Sequence, residues 1–119
     1  MSDFKAEWEK ARIPEVDEVE GRFKIKIYPR ILWCLFVDYK IIDKLKGINK
    51  AFGRFEWGPF TIEITLDGIL LNYNGARWPF VLIRDYVREL SEGMYLGKFC
   101  LKIGKKEKRL FWFTMELVV

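Results

Sequence analysis

The most constraining feature of this chain is a run of short alternating segments separated by turn signals. Phe60, Ile62, Ile64 and Leu66 alternate with Thr61, Glu63 and Thr65, the period-2 pattern of a strand with one dry and one wet face. Asp67-Gly68 follows, a two-residue hairpin signal of the type I′ kind, and then an apolar run, Ile69 to Tyr73. Asn74-Gly75 reads as a second hairpin turn, with a further strand over Trp78 to Arg84. Asp85 to Glu89 either continues that strand or forms a brief turn before Ser91-Glu92-Gly93. Met94 to Ile103 and Leu110 to Val119 make a final hairpin with its tip at Gly104 to Lys108.

The first half is less regular. Phe4, Trp8 and Ala11 share one face of a short helix over residues 3–12, with Ser2 or Asp3 as its cap and Pro14 beyond its end. A helix this short is unstable alone, so Phe4 and Trp8 must dock. Ile13 to Glu20 reads as an acidic connector. Gly21 to Tyr28 alternates Phe23, Ile25 and Ile27 with Arg22, Lys24 and Lys26, and Pro29 stops it. Ile31 to Val37 is continuously apolar, so periodicity leaves strand and helix both open there, with a slight lean to helix. Asp38 to Asp43 reads as a strand and Lys44 to Asn49 as a turn. Arg54 and Glu56 then alternate with Phe55 and Trp57 up to a bend at Gly58-Pro59. Seven or eight short strands with tight turns favour a mainly β, antiparallel meander closed into a barrel over a sandwich with long crossovers. No linker or repeat divides residues 1–119, so a single domain is expected, with 1–20 as helix and connector and 21–119 as barrel.

Composition then narrows the chemistry. There is no histidine, which removes Ser-His-Asp and Cys-His nucleophile systems and every His-ligated metal site. Cys34 and Cys100 have no metal-ligand spacing, and no cofactor or metal is expected. The first twenty residues are charged and the longest uncharged apolar run is Ile31 to Val37, so neither a secretory signal nor a membrane span is expected. A cytoplasmic protein with reduced thiols is the default. Residues 1–20 carry seven acidic and three basic side chains (net −4), residues 21–119 ten and eighteen (net +8). The basic balance attracts anions, although an acidic N-terminal segment folding back would offset it.

Aromatic residues make up 17% of the chain, enough either to fill a barrel or to line a cavity in it. The polar residues flanked by apolar strand positions are Lys40, Asn49, Glu63 and Tyr73. Ile83-Arg84-Asp85-Tyr86-Val87-Arg88-Glu89 adds a carboxylate, a phenol and two guanidiniums. In a strand, Arg84, Tyr86 and Arg88 take one side, and Asp85, Val87 and Glu89 the other. An inward Asp85 requires a partner, because a buried unpaired carboxylate is very costly. Leu110 and Trp112 interrupt the alternation of Phe111, Phe113, Met115, Leu117 and Val119, so the last strand is covered on both sides, by the barrel interior on one and by the N-terminal helix or a second copy in a homodimer on the other.

The order of elements, with Gly21-Arg22-Phe23 after a helical Trp8, and Arg84-Asp85-Tyr86 near the barrel end, resembles lipocalin and fatty-acid-binding (calycin-like) barrels. Asp85-Tyr-Val-Arg88 before Met94-Tyr-Leu-Gly97 is similar to small lipocalin-like domains of unassigned function. Phe23 stands where lipocalins carry Trp, and Arg84 where they carry Thr. The resemblance implies a short helix followed by an eight-stranded barrel, and it assigns no ligand.

Three functions compete. The first is a small-molecule-binding barrel for an apolar or amphipathic ligand, whose candidate contacts are Lys40, Asn49, Trp57, Tyr73, Asp85, Arg88 and Tyr95, with Arg88 or Lys40 meeting a polar head. The second is a histidine-independent isomerase, hydratase or decarboxylase, with Asp85 or Glu63 as base and Tyr73, Tyr86 or Tyr95 as proton donor. The third is single-stranded nucleic-acid binding, disfavoured because the rings beside the basic residues sit in strands that should bury them.

Overall fold

In a computed structural model of the chain, which describes residues 3–28, 37–51 and 55–118, eight strands form one closed antiparallel barrel in sequence order. They are β1 Gly21–Tyr28, β2 Tyr39–Asp43, β3 Lys46–Ala51, β4 Phe55–Ile64, β5 Ile69–Asn72, β6 Ile83–Ser91, β7 Met94–Ile103 and β8 Lys106–Leu117. β8 pairs back onto β1, Phe23 opposite Leu117 through Tyr28 opposite Trp112, which closes the sheet. The expected mainly β barrel with one short helix is what forms. Closure gives every strand a hydrogen-bonded neighbour on both sides.

Alternation sorts the side chains. Phe23, Ile25 and Ile27 of β1, Ile83, Asp85 and Val87 of β6, and Phe111, Phe113 and Met115 of β8 are all buried, while the intervening positions face outward. The core is this inward set, joined by Ile42, Phe60, Ile62, Ile69, Leu71, Tyr73 and Tyr95. A Cβ at Gly97 would lie 2.2 Å from the Phe113 ring, so the missing side chain on β7 is what lets that ring lie across the interior.

The helix α1, Phe4–Lys10, is capped by Asp3, whose carboxylate accepts from the Ala6 N–H at 3.2 Å. It docks on the outside of the barrel, Phe4 against Tyr28 and Trp8 against Trp112. Trp112 is therefore the outward residue of β8 that the helix covers. The segment expected to be an acidic connector does more. It makes a 3-10 turn at Val16–Glu18 and buries Pro14 and Val19, with Val16 packed on the core. Its acidic residues are wet and its apolar ones seal the barrel end near Lys44 and Leu45.

Four expectations about turns need correction. The supposed turn at Lys44 to Asn49 is only Lys44-Leu45, with φ of 52° and 68°, and β3 begins at Lys46. These two carry the left-handed backbone of a type I′ turn without the Gly or Asn that usually announces it. Asp67-Gly68 does connect β4 to β5, but Asp67 has no positive φ, so that turn is not type I′. Trp78 to Arg84 is not a strand: Pro79 cannot donate to a ladder, Phe80–Leu82 forms a 3-10 turn, and β6 starts at Ile83 and runs through Asp85 to Glu89. Finally, β8 starts at Lys106, four residues before the expected Leu110. The open choice for Ile31 to Val37, and Cys34 with it, falls outside the described residues except for Val37, which is buried in no regular element. Cys100 is a buried free thiol that burial pushes up to about 11, out of the reactive thiolate range.

Candidate functional site

Among the described residues, the buried charged and amide side chains of the barrel interior gather at one place. Lys40 on β2 and Asn49 on β3 are directly opposed in register, which turns both side chains to the same face. Asp85 lies opposite Leu71 on the β5–β6 ladder, and Tyr73 stands one residue beyond β5. Alternation turns each of them inward, and barrel closure brings the four together. Lys40, Asn49 and Asp85 are the buried polar residues among those described, and Tyr73 is fully buried with them.

Their hydrogen bonds can be counted to completion. The Lys40 ammonium donates to Asn49 Oδ1 at 2.5 Å, Tyr73 OH at 2.9 Å and Asp85 Oδ2 at 3.3 Å, using all three of its N–H bonds. Asn49 Nδ2 donates to the Gly58 carbonyl at 3.1 Å and to Tyr73 OH at 3.0 Å. The Tyr73 hydroxyl donates to Asp85 Oδ2 at 3.1 Å. Gly58 has φ of +55°, and a Cβ there would lie 3.0 Å from the Tyr73 ring and 3.2 Å from Asn49 Nδ2. A glycine thus allows both the turn of the backbone and its close approach. The rings of Phe60 and Phe113 lie 5.2 and 5.6 Å from Lys40 Nζ.

One valence is left over. Asp85 Oδ1 is buried and has no hydrogen-bond partner among the described residues. Buried acceptors left in this state cost about 1–3 kcal/mol. Asp85 and Lys40 border a small internal cavity of about 10 Å³, whose other walls are Trp57, Phe99, Phe111 and Phe113 with Ile25, Ile27 and Val37. That is room for about one water-sized group.

Burial acts on each titratable member. It pushes the Asp85 carboxyl up, opposed by the Lys40 charge and by the Tyr73 hydroxyl. It pulls the Lys40 ammonium down, opposed by Asp85. It holds the Tyr73 phenol well above its ordinary range, reinforced by the Asp85 charge.

The remaining candidates lie elsewhere or at the margin. Trp57 stacks toward Tyr73 at 6.4 Å and reaches the cavity wall. Arg88 is on the outer wall, where its guanidinium donates to the Trp8 and Asp67 carbonyls and covers the Trp8 ring. Tyr95 is inward but packs edge-on to Phe23 at 5.6 Å, apart from the polar cluster. Glu63 accepts from Asn72 on the surface, and the Tyr86 hydroxyl donates to Glu107 there. Lys40 uses its three N–H bonds inside the cluster, and Arg88 holds the helix from outside. Sequence reasoning missed the Gly58 carbonyl and the ring wall of Phe99 and Phe111. The Gly58-Pro59 bend was the visible trace of the first, and nothing local marks the second.

No protein-family model and no curated protein sequence matches the chain. A solved structure, the crystal structure of a protein from Thermomonospora curvata, superposes with a TM-score of 0.70, covering 100% of this chain and 89% of that one at 14% identity. That likeness establishes the barrel fold and nothing about activity. Among the described residues no helix is long and apolar enough to cross a membrane, and no group of potential ligands could hold a metal ion.

Proposed function

We propose that the protein binds a small, neutral molecule with an apolar body and a hydroxyl or N–H donor, at the Asp85 end of the interior cluster. The observation that carries this reading is the unpartnered Asp85 Oδ1 beside a ring-lined cavity. A ligand donor would satisfy that oxygen, and Trp57, Phe99 and Phe111 would shift to take the apolar body. The cluster pairs one cation with one anion, and its free atom is a carboxylate oxygen, so an anionic head is disfavoured. Binding of 1-octanol against octanoate, followed by amide chemical shifts, tests this. The expected result is octanol binding at least ~10-fold tighter, the worth of one hydrogen bond to a charged group. The preference should vanish in the Lys40→Met/Asp85→Leu double variant. No binding of octanol at millimolar concentration, or an octanoate preference, overturns the reading.

A second reading, proton transfer, is favoured by a specific contact: the Asp85 carboxyl, raised by burial, sits 3.1 Å from the Tyr73 hydroxyl. It predicts Asp85-dependent exchange of the α-protons of cyclohexanone in D2O, measured by proton NMR. Exchange equal to that of the Asp85→Asn variant would remove the proposed base.

A further inference from the structure

In an eight-stranded antiparallel meander the connections alternate between ends. The β1–β2, β3–β4, β5–β6 and β7–β8 connections thus share one end, opposite the end sealed by Val16 and Val19. At that shared end β7 and β8 outrun their neighbours. β6 begins at Ile83 opposite Leu101, and the β1 ladder stops at Tyr28 opposite Trp112. The pair itself continues to Ile103 opposite Lys106. Among the described residues, the backbone ladder of this projecting ribbon is paired only with itself, and Glu107 accepts from the Tyr86 hydroxyl of β6.

Its charge is one-sided. Lys102, Lys105, Lys106, Lys108 and Arg109 stand against Glu107 alone, and none of the five is in an ion pair with a described residue. Register places basic residues on both faces, Lys106 and Lys108 on the face of Leu101 and Ile103, Lys102 and Arg109 on the face of Cys100. A merely solvated tip needs the lysines, but it does not need aliphatic side chains among them. Ile103, in the last pair of the ribbon, is 66% exposed, and Leu110, the residue skipped by the bulge, is also exposed. Trp78, in the β5–β6 connection at the same end, is 77% exposed.

We propose that this end of the barrel docks on an anionic lipid surface, with Lys102, Lys105, Lys106 and Lys108 among the headgroups and Ile103 and Trp78 entering the interface. Lysines attract acidic headgroups, and their stems lie along the boundary beside aliphatic and indole side chains. The apolar side chains decide between anionic partners. Bases stack on rows of exposed rings, whereas Phe111 and Phe113 of β8 point into the core and the ribbon carries the aliphatic Ile103 and Leu110, with Trp78 the ring that enters the interface.

Co-sedimentation with phosphatidylcholine vesicles, with and without phosphatidylserine, tests the proposal on the full chain. Binding should require phosphatidylserine and fall steeply as salt is raised. Each lysine contributes about fivefold, so Lys105→Gln/Lys106→Gln should weaken binding by about 25-fold. Ile103→Ser and Trp78→Ser should each weaken it several-fold at unchanged charge. All four positions are solvated, and an unchanged melting temperature verifies that each variant folds. Absence of binding to phosphatidylserine vesicles at low salt overturns the proposal. So does binding indifferent to these substitutions, or retention of the protein by single-stranded RNA while vesicles are ignored. None of these outcomes depends on whether the interior takes a ligand.

Discussion

Two aspartates of this chain each meet a lysine and an aromatic ring, Asp85 inside the barrel and Asp67 on its outer wall. The outer group has the shorter ion pair, Lys98 Nζ to Asp67 Oδ2 at 2.7 Å, against 3.3 Å for Lys40 to Asp85. It also has an extra cation, since Arg88 reaches Asp67 and shares the Trp8 ring with Lys98. Yet the inner side chains are 4% and 1% exposed and the outer ones 20% and 47%. Distance alone would rank the outer pair first. Burial reverses the ranking, because water screens the outer pair and competes for its hydrogen bonds, while the inner charges have only each other. The outer cluster pins a helix. The inner one commits four strands to a single closure.

That contrast can be broken by substitution. Asp85→Ala strands the Lys40 charge in the core and should cost about 3–5 kcal/mol in urea unfolding, whereas Lys40→Met/Asp85→Leu should recover most of it. An Asp85→Ala cost no larger than that of an outer-wall variant would defeat the argument from burial. Gly58→Ala disturbs the inner network without removing a charge. It should cost about 1–3 kcal/mol through the contacts with Tyr73 and Asn49, read as a lowered melting temperature.

A gentler probe is pH. Asp85 is raised in the folded state, so between its unfolded and folded values the native protein keeps a proton that the unfolded chain has released, and stability falls as pH rises there. Lys40 is lowered, so between its folded value and the ordinary lysine range the unfolded chain holds the extra proton, and stability rises with pH. Melting temperature against pH should show both slopes in the wild type, and the Lys40→Met/Asp85→Leu variant should lack them. The smallest effect belongs outside. Lys98→Ala should cost at most ~1 kcal/mol and less in high salt. A larger loss would mean that the Trp8 clamp is energetically part of the core.

How much of this was legible follows from the range of each signal. Strand alternation depends on neighbours two apart, so the faces of β1 and the middle of β4 could be read directly, whereas Phe55, Ile64 and Leu66, expected on the dry face, are exposed and the inward turn of Asp85 was only one of two options. The polar residues flanked by apolar ones, Lys40, Asn49 and Tyr73, were visible as anomalies for the same reason. Lys44-Leu45 was not legible as a tight turn, because its left-handed backbone is imposed by the β2–β3 ladder on residues that do not prefer it. The extent of β8 escaped as well, since its first residues are charged and pair only within the ribbon.

The amino-acid sequence by itself thus determined a mainly β barrel with a docked N-terminal helix, a chemistry without histidine, and a short roster of out-of-place polar residues. Tertiary structure alone decided which of them meet. Lys40, Asn49, Tyr73 and Asp85 come from four separate strands or their ends, and their convergence depends on the register of every ladder around the closed sheet. Arg88, three residues from Asp85, was sent outward because three is an odd step on a strand. It also took the fold to show which rings lie inside, Phe23, Phe60, Tyr73, Tyr95, Phe111 and Phe113 among aliphatic neighbours, because that depends on how facing strands interdigitate.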